Sequence, residues 1–229
     1  MSVAIRGISS MATRQVLADL VQAYTVQTGV PVTIESVGGV DAAKRVQAGE
    51  ALDVVVLASD AIDKLQAAGH VVAGSKLNVV HSGTAVAVRA GAALPDLSSA
   101  DAVRAAVLAA RSVSYSTGPS GVALAQLFER WGIAPQVQDR IVTPPPGVPV
   151  GLLVARGEVE LGFQQLSELI HVEGITVVGP LPPEIQITTT FSAAVCATCT
   201  QPEVAQAFLR FLCSAAAVEA KLRQGMEPA

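Results

Sequence analysis

The sequence predicts an α/β protein of two lobes, each a mostly parallel sheet flanked by helices, joined by a two-segment hinge. Three observations predict it. Short β-branched runs alternate with helical apolar patterns, glycine or serine turns punctuate the alternation, and near residue 80 a long extended segment interrupts it before it begins again. The first strand is residues 3–8, followed by a helix over residues 13–27 with Val16, Leu17, Leu20, Val21 and Tyr24 on one face and Gly29 at its end. Residues 32–37 form the second strand, 41–48 a helix closed by Gly49, 52–57 the third strand, and 60–68 a helix closed by Gly69. Strands separated by helices of this length need crossover connections, so they run parallel.

Residues 79–89 read as one long extended segment. A helix at 101–110, a strand at 112–115, a helix at 122–131, a helix at 148–156 and a strand at 160–163 then build the second lobe, with Pro144-Pro145-Pro146 as a stiff spacer. The run 185–197 is too long and too uniformly β-prone for a simple internal strand and takes the chain back. Helices at 202–213 and 215–223 then pack on the first lobe. The expected division is 1–81 with 191–229 for one lobe and 82–190 for the other, with a ligand cleft between them.

Composition narrows the function classes. The 229 residues are 51% hydrophobic and 15% charged, which excludes intrinsic disorder. Lys and Arg number 15 against 19 Asp and Glu, a net charge of −4, and the basic residues are scattered, so neither nucleic acid nor membrane insertion is expected. Despite a mean hydropathy of +0.49, no uncharged apolar run approaches the roughly 20 residues of a membrane helix. The N-terminus Met1-Ser2-Val3-Ala4-Ile5-Arg6 has no basic segment leading into an apolar one, which predicts a cytoplasmic protein as written, or a periplasmic one if a leader has been trimmed.

Ligands of open α/β sheets bind at the C-terminal ends of strands. There the sequence places Ser9, Ser10 and Met11, then Gly38 and Gly39, then Ser59, and in the second lobe Ser116-Thr117-Gly118-Pro119-Ser120-Gly121. Each turn opens a helix, so each offers backbone N–H groups and a positive dipole end to an anion. The same residues are also ordinary capping and turn residues. Catalytic motifs fail: residues 69–76 carry Ser where a phosphate-binding loop needs Lys, and Gly118-Pro119-Ser120-Gly121 is one residue short of a nucleophile elbow. His70, His81 and His171 have no partner at ligand spacing, so neither a metal nor a cofactor is expected. Cys196 and Cys199 have CxxC spacing but follow an apolar strand, and read as packed small residues.

Ile8-Ser9-Ser10-Met11-Ala12-Thr13, the run from Ala43 to Val54, Tyr115-Ser116 with Pro119-Ser120-Gly121, and Ala155-Arg156-Gly157-Glu158 with Leu161-Gly162 together resemble the periplasmic molybdate-binding proteins. These have the type II periplasmic-binding-protein fold and serve ABC transporters. The resemblance implies an oxyanion held by serine hydroxyls and backbone N–H groups. Ser10 falls on the family's first serine ligand and Ser120 on a backbone donor, while a second backbone donor falls near Gly147-Val148. The family's second serine falls in Val37-Gly38-Gly39-Val40, which has no hydroxyl, and its tyrosine ligand falls on Gln164-Gln165. Losing two donors to a charged ligand costs roughly a hundredfold in affinity or more, so selectivity for molybdate is not expected.

Two functions follow. The first is binding of a small anion, oxyanion or carboxylate, with an ABC transporter as partner only if the chain is exported. The second comes from a resemblance to aconitate isomerase, a relative of the molybdate binders that moves an allylic proton in a tricarboxylate. That chemistry needs a base, for which Asp41 is the nearest carboxylate, and cations, for which Arg14, Lys44 and Arg45 are placed. The plainer reading of Asp41 is a helix cap.

Overall fold

The computed structural model describes residues 4–145 and 147–229. Val3, read as the start of the first strand, and Pro146, read as part of the proline spacer, lie outside the described residues, as do Met1 and Ser2. The chain divides into two units, Met1–Ser82 with Thr190–Ala229, and Gly83–Thr189. Among the described residues no helix is long and apolar enough to cross a membrane.

Unit 1 opens with β1 (Ile5–Ser10), α1 (Arg14–Thr28), β2 (Val32–Val37), α2 (Gly39–Gln47), β3 (Val54–Ala58), α3 (Ser59–Ala67) and the first part of β4 (Leu77–Arg89). β1 pairs in parallel with β2 and with β3, which sets Ser9 opposite Ser36 and Ser10 opposite Val37. Helices α2 and α3 begin one or two residues earlier than their polar residues suggest. Asp41 and Asp60 are not caps but stand in the first turns, where a carboxylate offsets the helix dipole. Gly29 ends α1 with φ 72°, the left-handed conformation that glycine adopts without steric cost.

Unit 2 contains α4 (Ala100–Ala109), β5 (Val113–Tyr115), α5 (Pro119–Arg130), α6 (Ala134–Val137), α7 (Val150–Ala155), β6 (Leu161–Gln165), α8 (Leu166–Leu169) and β7 (Ile175–Pro180). β5 and β6 are parallel, while the second part of β4 runs antiparallel to β6 and to β7. The sequence reading has no strand at β7. That segment ends in Gly179-Pro180 and carries no alternation, its residues being half-buried on both faces.

The chain re-enters unit 1 through β8 (Thr188–Val195) and finishes with α9 (Pro202–Leu212), α10 (Val218–Arg223) and β9 (Met226–Pro228). β8 is antiparallel to β3 and β9 to β4. Each sheet is therefore mixed: parallel where crossover helices join consecutive strands, antiparallel where the shared strands β4 and β8 and their neighbours pair.

Strand alternation sorts the cores. Val54, Val56 and Ala58 of β3 face one side with Phe191, Ala193 and Val195 of β8, under α1, α9 and α10, while Val55 and Leu57 face the other side, under α2 and α3. Both faces being covered explains why β3 reads as one unbroken apolar run. In unit 2, Val86 and Val88 of β4 pack with Leu161 and Phe163 of β6 beneath α4 and α5. Gly162, on the opposite face of β6, lets Val150 and Val154 of α7 approach: a Cβ there would lie 2.5 Å from Val154 Cγ2. The C-terminal ends of β1, β2 and β3 in unit 1, and of β5 and β6 in unit 2, each lead into a helical turn, directly or through at most three residues.

Candidate functional site

At the end of β1, Ser9 and Ser10 have different fates. Ser9 is fully buried, and its hydroxyl lies 2.8 Å from Ser36 Oγ on β2, so register pairing rather than a ligand occupies it. Ser10 is 8% exposed, and its Oγ is buried with no hydrogen-bond partner. Its carbonyl accepts from Thr13 Oγ1 at 3.1 Å, which fixes the single 3₁₀ turn Met11–Thr13 that it caps. A hydroxyl held out of water without a partner costs about 1–3 kcal/mol, so the native state tolerates this atom rather than gaining from it.

Gly39, the first residue of α2, comes close to Ser10. A Cβ on Gly39 would lie 3.7 Å from Ser10 Cβ and 4.0 Å from Leu57 Cδ2. The start of α2 thus lies against the ends of β1 and β3. Ser59 starts α3, and its carbonyl accepts from Lys76 Nζ at 3.3 Å. Asp41 is exposed in the first turn of α2, its Oδ2 3.4 Å from where a Gly38 Cβ would stand. Of the three cations proposed from sequence, Arg45 is committed elsewhere: it donates to both carboxylate oxygens of Glu35 and both of Glu50. Arg45 is therefore a clamp between α2 and its flanking segments, and both glutamates are held below their usual pKa by its hydrogen bonds. Arg14 and Lys44 are exposed.

In unit 2 the β5–α5 turn is folded tightly on itself. Ser116 Oγ lies 3.1 Å from Ser120 Oγ, and Gly118 caps α5 with Pro119 as its first residue. Gly121 has no room for a side chain, since a Cβ there would sit 1.6 Å from the Ser116 carbonyl oxygen. Thr117 is exposed at the tip. Val148, read as a backbone donor, instead spends its N–H on Pro145 O at 3.0 Å, because Gly147 at φ 76° turns the chain back there.

Gln164 and Gln165, at the end of β6, are buried and face opposite ways, as consecutive strand residues must. Gln164 Oε1 accepts from Gly151 N in the first turn of α7, and its Nε2 donates to Glu168 Oε1 at 2.9 Å. Gln165 Nε2 donates to Thr189 Oγ1 at 2.8 Å, while its Oε1 is buried without a partner. Thr84, its cross-strand neighbour, has an unpartnered buried hydroxyl as well. Sequence reasoning missed Thr84 and Glu168. Thr84 lies within a long strand and Glu168 in a one-turn helix, so no motif marks either.

Cys196 and Cys199 are packed on unit 1. Cys199 Sγ donates to Asp53 Oδ1 at 3.1 Å, and burial pushes the Cys196 and Cys199 thiols up to about 12 and about 11, which keeps both protonated. Among the described residues no group of three or more His, Cys, Asp or Glu side chains is placed to hold a metal ion.

Two α/β units joined by two strand passages, with hydroxyls and helix N-termini at their strand ends, are the build of a solute receptor. The chain belongs to the bacterial extracellular solute-binding protein family, whose model matches residues 5–227. An aconitate isomerase from Pseudomonas sp is 38% identical over 229 residues, 96% of this chain and 86% of that protein. The periplasmic molybdate-binding protein of Azotobacter vinelandii superposes with a TM-score of 0.81 at 21% identity, over 98% of this chain and 99% of that one. The sulfate-binding protein SubI of Mycobacterium tuberculosis does so with 0.80 at 19%, over 99% and 87%. At those identities the structures establish the shared type II periplasmic binding fold.

The tightest steric feature of unit 2 gives a direct test. Gly121→Ala is expected to destabilise the protein by about 1–3 kcal/mol in urea denaturation, because the new methyl must displace the Ser116 backbone.

Proposed function

We propose that the chain binds a small anion through neutral donors at its strand ends, and that the anion is a carboxylate rather than a tetrahedral oxyanion. The observation that carries this reading is Ser10 Oγ, a buried hydroxyl with no protein partner close to Gly39 at the start of α2. An anion supplies the acceptor that this O–H lacks. Glycines at 38 and 39, which carry no side chain, suit a ligand larger than a tetrahedral oxyanion, and the glutamines at 164 and 165 offer amide chemistry where the resemblance to molybdate-binding proteins implies a tyrosine. Membership of a solute-binding family and neighbours named for molybdate and sulfate support the anion class. An ABC transporter partner belongs to this reading if the chain is exported.

Ser10→Ala separates ligand binding from stability. Removing an unpartnered buried hydroxyl leaves the melting temperature unchanged or slightly raised, whereas a lost hydrogen bond to a charged ligand costs about 1.5–3 kcal/mol, roughly a 10- to 150-fold loss of affinity. The probes are molybdate, sulfate, citrate and cis-aconitate, with affinity read by calorimetry and stability by thermal melting. Equal affinity in the variant and the parent for the anion that binds best would overturn the role of Ser10.

A second reading is favoured by one finding, the 38% identity to an aconitate isomerase across nearly the whole chain. In it the same turns hold a tricarboxylate while a carboxylate base moves an allylic proton between two carbons, with no net change in composition. Asp41 is the candidate base. This reading predicts that cis- and trans-aconitate interconvert in an NMR time course, and that Asp41→Ala abolishes the conversion with affinity retained within about threefold. A spectrum unchanged over hours at micromolar protein contradicts it.

A further inference from the structure

Unit 2 keeps two neighbouring polar side chains out of water with nothing to bind. Thr84 on β4 and Gln165 at the end of β6 are Cα partners in antiparallel pairing, so their side chains stand on one face of the sheet with Cβ atoms about 4.5–5.5 Å apart. Thr84 is 1% and Gln165 4% exposed. The Thr84 hydroxyl and Gln165 Oε1 are each buried without a hydrogen-bond partner, so they do not bond to each other. Gln165 Nε2 donates to Thr189 Oγ1 at 2.8 Å, which fixes the amide against a second hydroxyl. All three residues belong to unit 2.

The surroundings do not complete the pair. Gln186, the amide that packs on this stretch of β4, is spent: its Oε1 accepts from Thr84 N and Ile187 N, and its Nε2 donates to Leu181 O. The Thr84 carbonyl accepts from Leu181 N. Val86 and Phe163, the next residues on the same face, are apolar core. Gln165 also closes the C-terminal end of β6, the edge at which open α/β sheets take their ligands.

The missing partner has a definite chemistry. A carboxylate cannot complete the pair, because both it and Gln165 Oε1 only accept. An ammonium would be desolvated there without a counter-charge, since Thr84, Gln165 and Thr189 are all neutral. An alcohol hydroxyl fits, donating to Gln165 Oε1 and accepting from the Thr84 O–H. The match survives exchange of the amide oxygen and nitrogen, because the same hydroxyl then accepts from Nε2 and donates to Thr84 Oγ1.

We propose that Thr84 and Gln165, with the amide fixed by Thr189, form a subsite for an alcohol hydroxyl of the ligand, and that this ligand is a hydroxycarboxylate. The subsite stands on unit 2 alone, and the carboxylate part of the proposal rests on the anion reading above. Water carries the same O–H chemistry, so the experiment separates the two sources.

The test compares calorimetric affinities within two matched pairs, citrate with propane-1,2,3-tricarboxylate and malate with succinate, whose members differ by one hydroxyl. The parent is expected to prefer the hydroxylated member of the pair it binds by about 10- to 100-fold, because the other member leaves buried groups unpaired. Gln165→Met and Thr84→Val, which keep side-chain size but remove the polar atoms, are expected to reduce that ratio to about threefold or less. A general weakening of the fold lowers both affinities together and leaves the ratio unchanged. A crystal structure with the hydroxylated probe is expected to show its hydroxyl oxygen within hydrogen-bond distance of the Gln165 amide. A water kept there in the complex, an equal or reversed preference in the parent, or an undiminished ratio in either variant overturns this inference and leaves the anion reading standing. Absence of binding by all four probes to the parent overturns both.

Discussion

A buried hydroxyl needs a partner, and the hydroxyl of Ser10 has none within the protein. Most of what surrounds it is spoken for. Ser9 is engaged by Ser36, the Ser10 carbonyl by Thr13, and Arg45 by two glutamates. What is left without a partner at the end of β1 is one O–H, close to Gly39 at the start of α2. The parallel pairing of β1 with β2 and β3 enforces this arrangement, because it brings three consecutive strand ends to the same edge and sends each into a helix. A polar cost of about 1–3 kcal/mol at one atom is small beside the apolar burial on both faces of that sheet, so the fold carries it.

Unit 2 solves the same problem with different residues. Its β5–α5 turn is closed by a contact between Ser116 and Ser120 and by the bare Cα of Gly121, and its β6 end carries two amides. Amides donate and accept in a fixed orientation, so each must be held by its neighbours. Gly151 and Glu168 hold Gln164, and Thr189 holds Gln165, whose carbonyl oxygen stays unpartnered. Two threonines of the return strand are engaged as well: Thr189 by Gln165, and Thr190 by His81 at 2.9 Å.

Much of the architecture was legible because apolar periodicity and glycine turns depend on local chemistry. The αL stop at Gly29 and the unbroken apolar run of β3 follow from their residues. β7 and β9 were not legible, since a short strand with mixed burial carries no period of two. The turns were found from their small residues, but the state of each donor was not. Whether a serine hydroxyl is free depends on register, as Ser36 opposite Ser9 shows, and whether an N–H is free depends on turn geometry, as Val148 and Pro145 show. Glu168 was invisible for the same reason, because its significance comes from packing and from an amide four residues earlier.

The central claim is that neutral, fixed donors hold the anion, with no counter-charge. Its most direct test is the salt dependence of the dissociation constant for the best-binding probe among citrate, cis-aconitate, sulfate and molybdate. Affinity would be measured between 0.05 and 0.5 M sodium chloride, a range over which surface charges become strongly screened. Binding by hydroxyl and backbone donors predicts a change of about twofold or less. A loss of about tenfold or more would contradict the account and transfer the anion to exposed cations such as Arg14 and Lys44.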